Sequence, residues 1–138
     1  MKNGNLPNTV YDSSAILEYF FSQSKEADKV ARSIKETIKN GGGLFVSAVN
    51  WGEILYVTEE KLGKEKRDIA NRWISEISVC IEPADREIAD QAASLKLHYG
   101  LHYADCFAAS LALSKKAVLC TRDRDFLRVK SIVSVFLI

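Results

Sequence analysis

A chain of 138 residues carrying 19 basic and 18 acidic side chains, for a net charge of +1, has the usual size of one domain and lacks the overall basic signature of a dedicated nucleic-acid binder. With 47% hydrophobic and 27% charged residues, 7 Gly and 2 Pro, it is neither a disordered nor a fibrous sequence. One domain spanning 1–138 is expected, and any nucleic-acid contact must be local.

In chain order, Thr9-Val10-Tyr11 is a short β-prone run that meets Asp12-Ser13-Ser14, three good helix N-caps, ahead of an apolar stretch from Ala15 to Phe21. Ala27, Val30, Ala31, Ile34 and Ile38 recur at helical spacing and end at Gly41-Gly42-Gly43. Leu44-Phe45-Val46 predicts a strand, and Ser47 caps a third helix that Gly63 closes. Asp68 to Ile77 has helical period, Val79-Cys80-Ile81 reads as a strand, and Asp85 caps a helix broken by Gly100. His102 to Leu113 is apolar on nearly every face and predicts a buried helix. Ala117 to Cys120 is a strand, Thr121 to Arg128 a polar turn with a short helix, and Ile132 to Ile138 a final strand. This alternation predicts an α/β three-layer α/β/α sandwich around a central, mostly parallel sheet.

Cys80, Cys106 and Cys120 form no C-x-x-C pair and each sits in an apolar run, so reduced core positions are expected. The start MKNGNLPNTV has no apolar signal segment, and no stretch approaches the roughly 18 continuous apolar residues of a membrane span. A cytoplasmic protein with no membrane partner is the expectation.

Ligands of a parallel sheet bind beyond the carboxyl ends of its strands, and four acids fall there: Asp12, Glu53, Asp105 and Asp123. Glu53 has Val46, Val49, Tyr56 and Val57 as helical neighbours, and Asp105 shares its side with Leu101, Ala108, Ala109 and Ala112. An unpaired carboxylate on an apolar face is expensive, so something positive should meet each. Singly, Asp12 and Asp123 also read as N-caps, Asp105 as a response to the helix dipole, and Glu53 as half of an ion pair. Together, four acids at one sheet end repel one another unless cations lie between them. Carboxylate oxygens select Mg²⁺ or Mn²⁺, and two such ions suit in-line hydrolysis of a phosphodiester.

The segments Val10 to Leu17, Val46-Ser47 with Glu53-Ile54-Leu55, Tyr103 to Ala109, and Cys120-Thr121-Arg122-Asp123-Arg124-Asp125-Phe126 resemble, in order and spacing, the acidic motifs of PIN-domain ribonucleases, particularly VapC-type toxins of prokaryotic toxin–antitoxin pairs. The resemblance implies a PIN-like nuclease domain, an endoribonuclease dependent on two Mg²⁺ or Mn²⁺ ions, an RNA substrate, a cognate antitoxin and a homodimer. It matches Asp12, Glu53, Asp105 and Asp123 to the family's metal-holding acids, with Thr121 as a polar residue steadying a water or ligand. Ser13 and Asp125 are further supporting residues, and Asp125 is expected to point elsewhere. Arg122, Arg124 and Arg128 are candidate RNA-binding residues beside Asp123, although short charge runs such as this one and Lys61 to Arg67 also read as solvated faces. Departures are the residues preceding the usual start, Cys106 where alanine is commoner, and Gly52 before Glu53.

Two other classes compete. A receiver-like Mg²⁺-binding signalling domain would need an acidic pair after the first strand, where Asp12 stands alone, and a dehalogenase-like phosphatase would need an acid at Ser14. A PIN domain that binds RNA or protein without cutting would have little use for four acids, which repel RNA phosphates. His98 and His102 share zinc-like spacing, but Gly100 between them breaks the helix.

Overall fold

The computed structural model describes residues 7–138. Five strands, β1 (Thr9–Tyr11), β2 (Leu44–Ser47), β3 (Val79–Glu82), β4 (Val118–Thr121) and β5 (Ser134–Leu137), form one sheet in the order β3-β2-β1-β4-β5. All four pairings are parallel, with Thr9 opposite both Leu44 and Val118. The expected mostly parallel sheet is therefore wholly parallel among the described residues.

Helices cover both faces. On one side α5 (Arg86–Tyr99) and α6 (Tyr103–Lys115) pack on Val10 and Leu119; on the other α1 (Ser13–Phe21), α2 (Lys25–Lys39), α3 (Ala48–Leu62) and α4 (Lys64–Glu76) pack on Tyr11, Leu44, Val46 and Cys120. Alternate residues of each strand thus serve opposite cores, as strand geometry requires. Helix α6 buries every residue from Cys106 to Ala112, as its unbroken apolar run predicts. None of the described helices is long and apolar enough to cross a membrane.

The chain order of elements agrees with the sequence reading, and the differences have local causes. Gly63, at φ 95°, both ends α3 and starts α4, so the fourth helix begins at Lys64 and the basic run Lys61 to Arg67 straddles the bend. Within that run Arg67 pairs with Glu59 at 2.8 Å and Lys64 with Asp68 at 3.8 Å, the pattern of a solvated face. The polar turn after β4 contains a 3₁₀ helix, Arg124–Val129, anchored by the buried Phe126 and Val129. Cys106 and Cys120 are buried as expected, but Cys80 is exposed: it stands on the edge strand β3, where no helix covers it, and its Sγ donates to Glu82 Oε2 at 2.8 Å.

Two glycines separate backbone need from tolerance. A Cβ on Gly42 would overlap the Pro7 carbonyl, whereas one on Gly52, exposed within α3, would meet open space. Gly52→Ala is expected to stabilise the fold by about 0.5–1 kcal/mol through helix propensity, and Gly42→Ala to destabilise it by at least as much, both read from denaturant midpoints at unchanged m-value.

Candidate metal centre

Strand order reverses at β1: the chain proceeds outward through β2 and β3, then returns to place β4 on the other side. Crevices at such a switch point are where open α/β sheets bind ligands. Asp12 leaves β1 here, Thr121 ends β4, and Asp123 follows two residues later.

Asp12 is 2% exposed and densely bonded. Its Oδ1 accepts from the Ala15 amide at 3.0 Å, which makes it the N-cap of α1, and its Oδ2 accepts from Thr121 Oγ1 at 2.7 Å. Ser14 Oγ donates to both oxygens, at 2.8 and 3.0 Å. Thr121 Oγ1 also accepts the Asp123 amide at 2.9 Å, and Asp123 caps the 3₁₀ helix by accepting from the Asp125 amide. The capping reading of both aspartates is thus correct, and it is also what holds their carboxylates at the switch point.

Glu53 lies in α3 at the same end of the sheet. Its Oε1 accepts from Ser13 Oγ at 3.2 Å and Asn50 Nδ2 at 3.1 Å. The apolar face expected around it is not the buried one: α3 turns Asn50, Ile54 and Thr58 inward, Tyr56 is 58% exposed, and Glu53 stands half-buried at the margin. Asp105, in the first turn of α6, is also half-buried.

Burial and neighbouring acids act together on Asp12 and Asp105. Burial raises Asp12 from its usual value near 4 to about 6, against the opposing bonds from Thr121, Ala15 and Ser14, and Asp123 adds to the rise. Asp105 is raised to about 7, by burial first and then by Asp12, Asp123 and Glu53 in turn. A helix N-terminus ordinarily stabilises a carboxylate by about 0.3–1 kcal/mol, so burial and three like charges outweigh it here. The expected positive partners are missing: of six ion pairs among the described residues, none involves Asp12, Glu53, Asp105 or Asp123.

The donor set, carboxylates with hydroxyl support and no thiolate or imidazole, suits a hard divalent cation. As the side chains stand, no three of the described acids, histidines or cysteines converge closely enough to form a ready-made cage. Mg²⁺ needs only one or two direct carboxylates and keeps several waters, so an open acidic crevice of this kind still fits it.

The remaining candidates divide. Asp125 turns toward Arg128, 3.9 Å away, as expected of an acid pointing elsewhere. Arg122 is committed to Glu18 at 2.8 Å and Arg128 donates to the Gly100 carbonyl at 3.1 Å, while Arg124 is exposed and, among the described residues, pairs with no carboxylate. His98 Nδ1 lies 2.8 Å from the Ser94 carbonyl, and His102 is exposed beyond the left-handed Gly100. Three contributors escaped the sequence reading: Ser14, Glu18 and Asn50. The i,i+3 spacing of Asn50 and Glu53 was a usable signal; the Glu18–Arg122 contact, 104 residues apart, had none.

The PIN domain family model matches residues 9–132. The chain belongs to the PIN domain family. No curated protein matches it by sequence. Among solved structures it is similar to VapBC2 from Rickettsia felis, bound to a DNA fragment from their promoter, with TM-score 0.76 at 16% identity over 94% of this chain and 97% of that one. It is also similar to Mycobacterium tuberculosis VapC20, a sarcin-ricin loop cleaving toxin, with TM-score 0.74 at 14% identity over 92% and 98%. VapBC-5 from the same organism gives TM-score 0.63 at 21% identity over 96% and 98%. These likenesses show the shared fold. A receiver domain is excluded by topology, since its first strand lies between the second and third, whereas β1 of this PIN domain lies between β2 and β4.

The raised acids set a pH dependence. A carboxyl whose folded pKa is raised favours the folded state below its unfolded value, near 4, and loses that contribution as pH climbs through the folded values, about 6 for Asp12 and about 7 for Asp105. In chelator the protein is expected to melt at a higher temperature at pH 5 than at pH 8, and Asp105→Asn to reduce that difference. An equal slope in wild type and variant would show that the Asp105 carboxyl is not raised in the folded state.

Proposed function

We propose that this PIN domain is a Mg²⁺- or Mn²⁺-dependent endoribonuclease, the toxin of a prokaryotic toxin–antitoxin pair acting on cytoplasmic RNA. The observation that carries the reading is the gathering of four acids at the switch point of a PIN-family sheet, where Thr121 bonds both Asp12 and the Asp123 backbone, Asn50 links Glu53 to the residue before Asp105, and none of the ion pairs among the described residues neutralises any of the four. A fold optimised for stability alone would neutralise such acids, and bound divalent cations remove the penalty.

In this reading Asp12, Glu53, Asp105 and Asp123 hold the metal, one or two ions in number. Bound there, a divalent ion supplies charge neutralisation on the phosphodiester and activation of water for in-line attack. Thr121 and Ser14 keep Asp12 oriented, and Ser13 does the same for Glu53. Arg124 is the cation best placed to meet RNA phosphates, because Arg122 and Arg128 already have partners in the protein.

Two further surfaces support the partners proposed. A groove of about 420 Å³ between α1 and α3, lined by Leu17, Phe21, Val57 and Leu62 with Lys61 and Arg122 at its polar side, suits an amphipathic segment of an antitoxin. Leu97 and Tyr103, 81% and 51% exposed, flank the acidic end and suit burial in a homodimer.

The absence of a closed three-ligand cage among the described residues favours a second reading, a PIN domain that binds without cutting. One assay separates them. Cleavage of single-stranded RNA should require Mn²⁺ or Mg²⁺, stop with chelator, and fall by at least about a hundredfold in Asp12→Asn and Asp105→Asn, a loss of roughly 2.7 kcal/mol of transition-state stabilisation. Wild-type rates in either variant, with folding verified, would remove that acid from catalysis. Arg124→Ala is expected to lower the salt slope of RNA binding by about one unit of log K per log salt, and Arg122→Ala by less. Equal slopes for both would make the run a solvated face.

A further inference from the structure

We infer that Asn50 is a positioning residue of the acidic crevice, one amide that sets the spacing between Glu53 and Asp105. The inference rests on the reading of those acids as divalent-ion ligands. Asn50 is completely buried in the first turn of α3, and its Nδ2 donates twice: to Glu53 Oε1 at 3.1 Å and to the carbonyl of Ala104, the residue before Asp105, at 3.3 Å. A single side-chain nitrogen therefore grips one acid directly and the backbone beside another, across the junction of α3 and α6. Both partners are acceptors, so the amide must present its nitrogen to them, and rotating it would set an oxygen against two oxygens.

Among the described residues the same amide has no partner for its buried Oδ1. An orphaned buried acceptor costs about 1–3 kcal/mol, and an apolar residue of similar shape would avoid the cost, so a role in core packing does not account for Asn50. What an apolar residue cannot do is donate two bonds at one point. Serine and threonine have one donor, and aspartate has none when ionised. Glu53 is a flexible side chain at a half-buried margin, and Asn50 with Ser13 restricts it from two helices at once. Outer partners of this kind orient metal-holding groups, and their loss typically costs 10–100-fold in metal affinity.

Thr58 provides an internal control, because it lies two turns along the same buried face, is 1% exposed and, among the described residues, has an unpartnered Oγ1 and bonds to no acid. The test uses the full chain stripped of metal, with Mn²⁺ uptake measured by calorimetry in the absence of RNA and melting recorded in chelator. Asn50→Leu is expected to weaken Mn²⁺ binding about tenfold or more while melting in chelator close to or above wild type, since it also removes the orphan oxygen. Asn50→Ser, with one donor, should fall between; it carries the test if Asn50→Leu does not fold. Thr58→Val should bind Mn²⁺ as wild type does. Mn²⁺ affinities within twofold of wild type for both Asn50 variants, or an equal loss in Thr58→Val, would overturn the inference and make Asn50 a packing residue. If wild type itself takes up no Mn²⁺, the ligand reading of the acids fails first and the inference falls with it.

Discussion

The arrangement depends on one buried carboxylate. Asp12 is the point at which β1 ends, α1 begins and β4 is tied in, through the Ala15 amide, Ser14 and Thr121. Each of these bonds is local to the switch point of the sheet, and each makes an otherwise unfavourable burial tolerable. They do not cancel it: burial still raises Asp12 to about 6. The net result is a capping acid that is fixed in place and still raised above its usual value. The rigidity matters because Thr121, which fixes Asp12, also fixes the backbone of Asp123.

From that anchor the other acids acquire their character. Asp105 has the benefit of a helix N-terminus, yet burial and repulsion from Asp12, Asp123 and Glu53 push it the other way. The fold accepts this cost because its cores are extensive on both faces of the sheet, with α6 buried through two full turns on one side and the Tyr11, Ile16, Ile54 cluster on the other. Local penalties of this kind are tolerated only against burial on that scale.

Much of this was legible from residue order, for reasons that differ by element. Strand-to-helix steps at Tyr11-Asp12 and Val46-Ser47 announce themselves through β-prone runs meeting N-caps, and the unbroken apolar run of α6 can only be a buried helix. The four acids stood out because a parallel sheet brings the carboxyl ends of its strands together. Position along the strand order was not readable: nothing in the local sequence says that β4 rather than β3 lies beside β1, so Cys80 looked like a core thiol until β3 proved to be an edge. The surroundings of Glu53 were misjudged for a related reason. Helical spacing identifies which residues share a face, but only packing against the neighbouring helices shows that Asn50, at α6, and Ile54 and Thr58, toward α1 and α4, form the inward one.

The distribution of cations completes the physical picture. With 19 basic residues available to 18 acids, the chain has enough positive charge to neutralise its crevice. The ion pairs lead elsewhere: Arg122 to Glu18, Lys115 to Glu82, Arg67 to Glu59, and Arg128 to Asp125. The Arg122 case is the most informative, because its backbone amide bonds to Ser14, itself a donor to Asp12, while its guanidinium reaches away to the nearly buried Glu18. A cation two bonds from the crevice is thus held off it by a dedicated acid, which Ser24 in turn braces at 2.6 Å. The separation of charge along the sheet end is therefore a property of particular side chains rather than of composition, and a net charge of +1 conceals it completely.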